Sequence, residues 1–345
     1  MITPRERVMN AIHFKPVDKA PMLYCPSDAG YYEHGEKLIR LYETHPDDFG
    51  GFSRPAVIPA PREGTVVNGA YYDRRTDEWG TEWEYRVFGM MGHAIGFPLK
   101  DWDRLNDYVF PAQPWYMTDR LDIAMQKVNA RKERYLFWDG SVALLERLSA
   151  LRGFENCLMD LYEDSEEVNI FLDRLTDYFA QRVTRLVCLG ADGITLADDF
   201  GTQNSLILSR ELFRSALKPR FKRILRPAVD AGLYIHLHSC GYIWDLLDDF
   251  KDLHVTSIWP QLPLFDMERL RDRLRELGMA LQIHTDRAGV MTSGSPMQVK
   301  ALAKEEMRVF DILNGGSWMH VETDTGFPFE NVETLVKTIS GYRRG

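Results

Sequence analysis

The order of apolar and polar positions is most regular from residue 118 to the end of the chain. Short apolar runs typical of buried strands alternate there with longer segments whose apolar residues recur at helical spacing. The runs predict strands at 134–139, 193–198, within 233–241, 255–259, 279–284 and 317–322. The segments between and after them predict helices at 118–131, 142–151, 166–189, 209–231, 243–249, 267–277, 296–313 and 330–342. Such alternation indicates a parallel sheet.

The first 112 residues are less regular. Thr3, Pro4 and Glu6 form the pattern of a capping box with a proline in the first turn, which predicts a helix to about residue 13. A short apolar run predicts the first strand at 20–25, and further patterns predict a helix at 36–43 and a hairpin at 77–86. Because no linker-like stretch isolates this region, we expect it to be an insertion around the mouth of the fold rather than a separate domain.

These elements amount to about seven strands, and one more strand in the irregular N-terminal region would make eight. For a chain of 345 residues, the length favours a closed barrel over an open sheet. We therefore predict an α/β fold, a (β/α)8 TIM barrel with an N-terminal helical and hairpin extension at the barrel mouth. We expect a single domain over 1–345, with an irregular N-terminal part over 1–112 and regular β/α repeats over 113–345.

Charge and cysteine usage narrow the class of function. The net charge of -9 is spread without acidic or basic blocks, which argues against a nucleic-acid or membrane surface. The four cysteines have no paired spacing, as expected for reduced thiols in a cytoplasm. The N-terminus lacks an apolar targeting segment, and no run of about 18 apolar residues occurs. We expect a cytoplasmic protein that acts on small molecules.

The stretch 233–241 begins as a strand and ends in His238, Ser239, Cys240 and Gly241, which a strand core does not need. Because side chains repeat their direction every second residue, His238 and Cys240 can present an imidazole nitrogen and a thiolate on one face. This pair is half of a zinc site, although a buried His and Cys without a metal would give the same pattern. We interpret His236, on the same face, as a core residue.

Residues able to do chemistry stand at the ends of six predicted strands. They are Trp138 and Asp139, Asp198 and Asp199, His238 and Cys240, Trp259 and Gln261, His284 and Asp286, and Glu322 and Asp324. Polar residues often end a strand, but barrel enzymes build their sites at these ends, so six together predict an active site. Adjacent residues of a strand face opposite sides, and we predict that Asp198 faces the barrel interior while Asp199 orients Gln203 or a loop.

Short motifs over most of the chain form a specific set. They are TPRER at 3–7 with DKAP at 18–21, DEWG at 77–80, LRGFE at 151–155 with LMD at 158–160, DDFGTQ at 198–203, HSCG at 238–241 and ENV at 330–332. Together they resemble the uroporphyrinogen decarboxylase superfamily, and within it the corrinoid-dependent methyltransferases. The decarboxylases carry an arginine-rich segment after the first strand, where this chain reads YCPSDAG at 24–30. The resemblance therefore favours methyl transfer over porphyrinogen decarboxylation.

In the methylcobamide:thiol methyltransferases of this superfamily, zinc is held by His-x-Cys and a further cysteine on the last strand. His238 and Cys240 match the first two ligands, but the last strand has no cysteine, and Asp324 or Glu322 stands near the third position. The resemblance thus implies a zinc site of His238, Cys240 and Asp324, with Glu322 as the other candidate and an open fourth position.

Some members of this superfamily instead demethylate aryl methyl ethers and pass the methyl group to a separate corrinoid protein. The resemblance implies a methoxylated aromatic donor and a corrinoid protein that brings the cobalamin, because the chain lacks the Asp-x-His-x-x-Gly motif of cobalamin binding. A methylcobamide-dependent enzyme acting on a thiol, amine or folate is the alternative. A decarboxylase-like lyase, a non-catalytic binding protein and a homodimeric state are also left open.

Cleavage of an aryl ether leaves a phenolate, which a proton or a Lewis acid must stabilise. We predict catalytic roles for four residues and substrate contacts for five more, because aromatic faces at strand ends can sandwich a ring. The catalytic set is His238, Asp198, His284 and Asp139, and the substrate-binding set is Tyr24, Phe137, Trp138, Trp259 and Gln261.

Overall fold

The computed structural model describes residues 2–50, 52–113 and 121–344. In chain order its strands are β1 (Met22–Pro26), β2 (Val66–Val67), β3 (Ala70–Tyr71), β4 (Asp73–Thr76), β5 (Glu82–Tyr85), β6 (His93–Gly96), β7 (Phe137–Asp139), β8 (Gly193–Ala197), β9 (Tyr234–Ser239), β10 (Ser257–Pro260), β11 (Ala280–His284) and β12 (Ser317–Thr323). Seven of them form a parallel sheet in the order β1-β12-β11-β10-β9-β8-β7. The predicted barrel strands are all present.

Helices connect and flank these strands. They are α1 (Pro4–Ile12), α2 (Asp28–His34), α3 (Glu36–Thr44), α4 (Leu121–Asn129), α5 (Leu145–Arg152), α6 (Phe154–Glu163), α7 (Glu166–Cys188), α8 (Arg210–Leu212), α9 (Lys218–Asp230), α10 (Leu247–Asp252), α11 (Met267–Leu277), α12 (Val290–Ser293), α13 (Pro296–Val309) and α14 (Phe329–Ser340). Each helix here is too short or too polar for a bilayer core, so the described part of the chain holds no membrane-spanning helix.

The helix predictions differ from the structure in a few places. The residues 118–120 of the helix predicted at 118–131 lie outside the described residues. Helix α6 was not predicted, and it begins directly after Gly153, whose φ of 85° ends α5. The helix predicted at 209–231 is interrupted by a π-helical turn at Phe213–Leu217.

Side chains alternate between the two faces of the parallel sheet, and each face has its own core. The outward face packs against the helices in the main core, with residues such as Ile194, Ile235 and Ile258. The inward face forms a smaller cluster that contains Leu23 and Trp318. The period of two therefore decides which side chains can reach the interior of the barrel.

The eighth position of the barrel is filled by the segment 48–50, between β1 and the chain that enters β7. The Asp48 N–H donates to Met22 O at 2.9 Å, and the Gly50 N–H donates to Tyr135 O at 3.0 Å. Phe49 and Tyr135 form one isolated parallel bridge. The eighth strand predicted in the N-terminal region is therefore a single bridge rather than a ladder, and it connects the two edges of the sheet.

Helix α1 covers the amino-terminal end of the barrel. The predicted capping box is confirmed, because Thr3 and Glu6 bond each other's backbone N–H groups. The apolar face of α1, formed by Val8, Ala11 and Ile12, joins the interior cluster. With that end closed, the opposite, carboxyl-terminal end of the strands is the open mouth.

The N-terminal extension contains a three-stranded antiparallel sheet in the order β4-β5-β6. The hairpin predicted at 77–86 is present but begins earlier, because its first strand is β4, and 77–81 form the turn. Asp77 in this turn accepts hydrogen bonds from the backbone of Trp79 and Thr81. Trp79 is buried in the main core, and the Thr81 hydroxyl donates to Ala150 O of α5 at 3.0 Å. These contacts attach the extension to helix α5.

Candidate active site

The residues that cluster at the mouth are selected by strand register. Ala197 of β8 pairs with His238 of β9, so the next inward positions are those of Asp199 and Cys240. Trp259 of β10 pairs with His238 of β9, and His284 of β11 pairs with His320 of β12. These pairs bring the rings of Trp259, His284 and His320 to the mouth. The central group of the mouth therefore comes from neighbouring parallel strands.

Asp199, His238 and Cys240 form the group of potential metal ligands at this mouth, with one ligand atom of each within 4.8 Å of the others. Cys240 Sγ lies 3.4 Å from His238 Nε2, and Asp199 Oδ1 lies 4.0 Å from the same nitrogen. The Asp199 carboxylate also accepts the Cys240 N–H at 2.6 Å, which fixes the turn after β9. Carboxylate, imidazole and thiol thus converge on one point.

The second nitrogen of His238, Nδ1, lies 2.8 Å from Trp259 O, which makes Nδ1 the donor and leaves Nε2 free to accept. This is the outer hydrogen bond that metal-binding histidines commonly make. Burial and, to a smaller extent, the neighbouring Asp199 together raise the pKa of the Cys240 thiol to about 12. Burial also lowers the pKa of His238, against the opposing effect of Asp199. A neutral imidazole, a thiol that a metal can deprotonate and a carboxylate fit a zinc ion.

Asp198 faces away from this group, contrary to the expectation that it would point into the barrel. Its buried carboxylate accepts the N–H groups of Leu144, Leu145 and Glu146 at 2.8 to 2.9 Å, at the start of α5. Burial raises its pKa to about 7, although these three hydrogen bonds oppose the change. The carboxylate beside His238 and Cys240 is that of Asp199, because the β8 register puts Asp198 on the outward face.

Trp259 lies at the centre of an aromatic cluster at the mouth. Its ring centroid is 4.0 Å from that of His238 and 4.2 Å from that of His320. The Trp259 indole N–H donates to His284 Nδ1 at 3.0 Å. The predicted contact of Trp259 with a substrate stays a prediction, and two imidazoles already pack against the indole.

Glu322 and Asp324, the ligands implied for the last strand, take part in a separate set of ion pairs. Glu322 Oε2 lies 3.1 Å from His284 Nε2 and 3.4 Å from the Arg287 guanidinium. Asp324 pairs with Arg287 at 3.1 Å and accepts the Ser27 hydroxyl at 2.8 Å. Although burial favours the neutral form of Glu322, His284 and Arg287 lower its pKa overall. Neither carboxylate joins the Asp199, His238 and Cys240 group.

The other aromatic residues predicted to contact a substrate lie on both faces of the sheet. Tyr24 is a core residue rather than a substrate contact, because it is 4% exposed, stacks on Tyr42 at 3.8 Å and donates its hydroxyl to His45 O. Trp138 also packs against the main core on the outward face. Phe137 faces the interior but packs deeper, against His236.

Asp139 and Gln261, also predicted from the sequence, lie at strand ends. The exposed Asp139 accepts the Ser141 N–H at 2.7 Å in the turn after β7. Gln261 Oε1 accepts the Gly241 N–H at 3.2 Å, so Gln261 supports the turn that carries Cys240. His236 is confirmed as a core residue, since both ring nitrogens are bonded, to Tyr135 and Ser257.

Sequence reasoning missed His320, Arg287 and Glu146. His320 lies at an inward position of β12, two residues before Glu322, so the alternation could have found it. Glu146 lies in the first turn of α5, and burial raises its pKa to about 8, with Asp198 and Asp199 adding to the effect. No local pattern marks Glu146 or Arg287, because their positions depend on how α5 and the loop after β11 pack.

The parallel barrel, with chemistry-bearing side chains at the carboxyl ends of its strands, defines the architectural class. A family model described as Uroporphyrinogen decarboxylase (URO-D) matches residues 97–342. The match covers more than half of the chain, and the chain therefore belongs to the uroporphyrinogen decarboxylase family.

Two solved structures are similar to this chain over almost its whole length. A methyltransferase from Methanosarcina mazei has 17% identity and a TM-score of 0.66, and the likeness covers 98% of each chain. A sugar phosphate isomerase/epimerase from Parabacteroides distasonis has 12% identity and a TM-score of 0.44, covering 94% of this chain and 97% of the other. No curated protein matches the sequence. At this identity, the first likeness shows a shared fold.

Proposed function

We propose that the protein is a corrinoid-dependent methyltransferase that moves a methyl group from a methoxylated aromatic to the cob(I)alamin of a separate corrinoid protein. The observation that carries the proposal is the Asp199, His238 and Cys240 group at the open mouth of the barrel. The family match and the fold shared with a methyltransferase support the class of reaction. The corrinoid partner and the cytoplasmic location are part of the same proposal.

Zinc is the metal that these three side chains suit, and Asp199 is proposed as the third ligand in place of Asp324. When bound, zinc supplies a Lewis acid that stabilises the oxygen of a leaving group. The chain prepares this site before any metal binds, because Trp259 O orients His238 and Asp199 holds the Cys240 backbone. Such outer contacts preserve the direction of the ligand atoms.

His284 is the residue proposed to hold a proton near the reacting oxygen. The indole N–H of Trp259 makes Nδ1 of His284 an acceptor, so a neutral ring carries its proton on Nε2. Nε2 lies 3.1 Å from Glu322 Oε2, so the carboxylate helps to orient the ring. The Glu322 carboxylate is proposed to act through His284 and not as a metal ligand.

The metal assignment is tested by zinc analysis of purified single variants. Cys240→Ala and Asp199→Ala should each lower bound zinc from about one per chain to roughly a tenth of that or less, since each removes a ligand. Asp324→Ala is the matched control, because it removes a nearby carboxylate that pairs with Arg287. If Asp199→Ala kept its full zinc and Asp324→Ala lost it, the third ligand would be Asp324, as the resemblance implied.

The reaction is tested by an anaerobic spectral assay of cob(I)alamin methylation over methoxyarenes, alkyl thiols and methylamines. Methylation from a methoxyarene, lost in His238→Ala at every substrate concentration, is the expected result. Activity confined to thiols or amines would favour the second candidate function. Inactivity with every methyl donor, despite bound zinc, would contradict methyl transfer.

A further inference from the structure

A cavity lies beside the mouth, between the antiparallel sheet of the extension and helices α5 and α6. Its volume is about 380 Å³, which falls in the lower range of small-molecule sites. That volume suits one substituted ring and is too small for a tetrapyrrole. The lining residues are Trp83, Met91, Gly92, Ala94, Phe97, Ala143, Glu146, Arg147, Ser149, Ala150 and Phe154.

The cavity is mostly apolar, and its one cation is already paired. Trp83, Phe97 and Phe154 supply aromatic surfaces, and Trp83 directs its indole N–H to Asp77 rather than into the cavity. Arg147 lies 3.3 Å from Asp77 and above the ring of Trp79. Because Asp77 neutralises Arg147, the walls favour an uncharged aromatic ligand over a carboxylate.

Glu146 connects this cavity with the ligand group at the mouth. It lines the cavity, and its backbone N–H bonds the Asp198 carboxylate at the end of β8. Glu146 also interacts electrostatically with both Asp199 and Cys240. Its side chain is therefore the polar group at the end of the cavity that is nearest to the ligand group.

We infer that this cavity binds the neutral aromatic ring of the methyl donor, with the Glu146 side chain forming a hydrogen bond with an oxygen substituent of the ring. The inference rests on the proposed function for the identity of the ring. Trp83, Phe97 and Phe154 form the walls. Glu146 marks the end of the cavity that is nearest to Asp199.

The test is calorimetric binding of 2-methoxyphenol to the full chain and to two variants of one strand. Ala94 lines the cavity, whereas its neighbour Ile95 faces the other side of β6 and does not. Ala94→Phe should fill the cavity and weaken binding by about tenfold or more, whereas Ile95→Phe should change it by less than about twofold. The wild type should bind 2-methoxyphenol more tightly than 4-hydroxy-3-methoxybenzoate.

Folding of each variant is checked by circular dichroism and thermal melting. If Ala94→Phe does not fold, Phe154→Ala replaces it, since Phe154 is half exposed and its loss removes a wall. Glu146→Leu, which removes the polar group, should weaken binding several-fold, whereas Glu146→Gln, which can still hydrogen-bond, should retain most of the affinity. Equal affinity in the wild type and the wall variants, or no binding to the wild type, would overturn the inference.

The binding and methylation assays separate this inference from the proposed function. Binding that depends on Ala94 or Phe154, without methylation of cob(I)alamin, would support the cavity and contradict the reaction. Methylation that is unaffected by Ala94→Phe would support the reaction and contradict the cavity.

Discussion

At the scale of single residues, buried carboxyl groups determine how stability depends on pH. Glu306 of α13 is 2% exposed and accepts the Thr285 hydroxyl at 2.8 Å. Burial raises its pKa from 4.5 to about 8, and the nearby Asp286 adds to the effect. The unfolded chain loses this proton near the ordinary value, so the folded chain binds one more proton between these two pH values.

The free energy of unfolding should therefore fall as the pH rises from 5 to 8, by at most about 1.4 kcal/mol per pH unit from this group. Glu306→Gln keeps an acceptor for Thr285 and removes the titration. Urea unfolding midpoints of this variant, measured across the same range, should fall less steeply than those of the wild type. Parallel curves for the two proteins would contradict the raised pKa.

The two adjacent aspartates show how one position changes the role of a residue. Asp198 and Asp199 have the same side chain, but the first bonds the start of α5 and the second lies beside Cys240. The sequence predicted correctly that only one of them faces the interior. The choice of Asp198 as the interior residue was wrong, because the hydrogen-bond register between β8 and β9 sets the direction.

At the scale of elements, the link between β8 and α5 is the contact that organises this side of the mouth. Asp198 accepts three backbone N–H groups that the first turn of α5 cannot satisfy itself. Helix α5 in turn carries Glu146 and contacts the extension through Ala150. The Asp198 carboxylate thus attaches the barrel to helix α5, which lines the cavity beside the mouth and contacts the extension.

Asp198→Ala should lower the free energy of unfolding by about 2 to 3 kcal/mol, because it leaves two buried donors and one partly buried donor without their acceptor. Asp198→Asn keeps one oxygen and should cost less. Both variants should retain zinc, since Asp198 does not belong to the ligand group. Urea unfolding and zinc analysis measure the two properties, and wild-type stability in Asp198→Ala would contradict the capping role.

At the scale of the whole molecule, the barrel closes through a buried ion pair. The Arg7 guanidinium of α1 pairs with Asp18 at 2.6 Å and with Asp48 of the bridging segment. Asp48 also accepts the Met22 N–H at 3.0 Å. Arg7 therefore joins helix α1, which covers the barrel, to the segment 48–50, which connects the two edges of the sheet.

Arg7→Met should destabilise the protein by about 3 to 5 kcal/mol, because it leaves the Asp48 carboxylate buried beside only the more distant Lys19. Arg7→Lys, which keeps the charge but loses the forked geometry, should cost less. The midpoints of urea unfolding should therefore decrease from the wild type to Arg7→Lys and then to Arg7→Met. Recovery of stability in the double variant Arg7→Met with Asp48→Asn would confirm that the uncompensated charge is the cause.

We also predict that 1–345 unfolds as one domain. The main core combines Leu38, Tyr42 and Trp79 of the N-terminal part with residues of the β/α repeats. Calorimetry should show one transition, and residues 113–345 expressed alone should fail to give a cooperative melt. Two separate transitions would instead indicate that the N-terminal part folds independently.

The alternation of strands and helices, the capped first helix and the strand ends that carry chemistry could all be predicted from the amino-acid sequence. These features follow from local periodicity and local hydrogen bonding, which a single segment contains in full. The pairing of His238 with Cys240 was predictable for the same reason, since both belong to one strand and its exit.

The carboxylate beside that pair and the positions of the aromatic residues depend instead on packing between segments that are far apart in the chain. Asp199 rather than Asp324 joins His238 and Cys240 because adjacent parallel strands align at a register that neither strand specifies alone. Tyr24 is in the core because β1 places it on the outward face, against α3. The eighth strand became a bridge because the chain at 48–50 is held by both edges of the sheet, a contact between segments far apart in sequence.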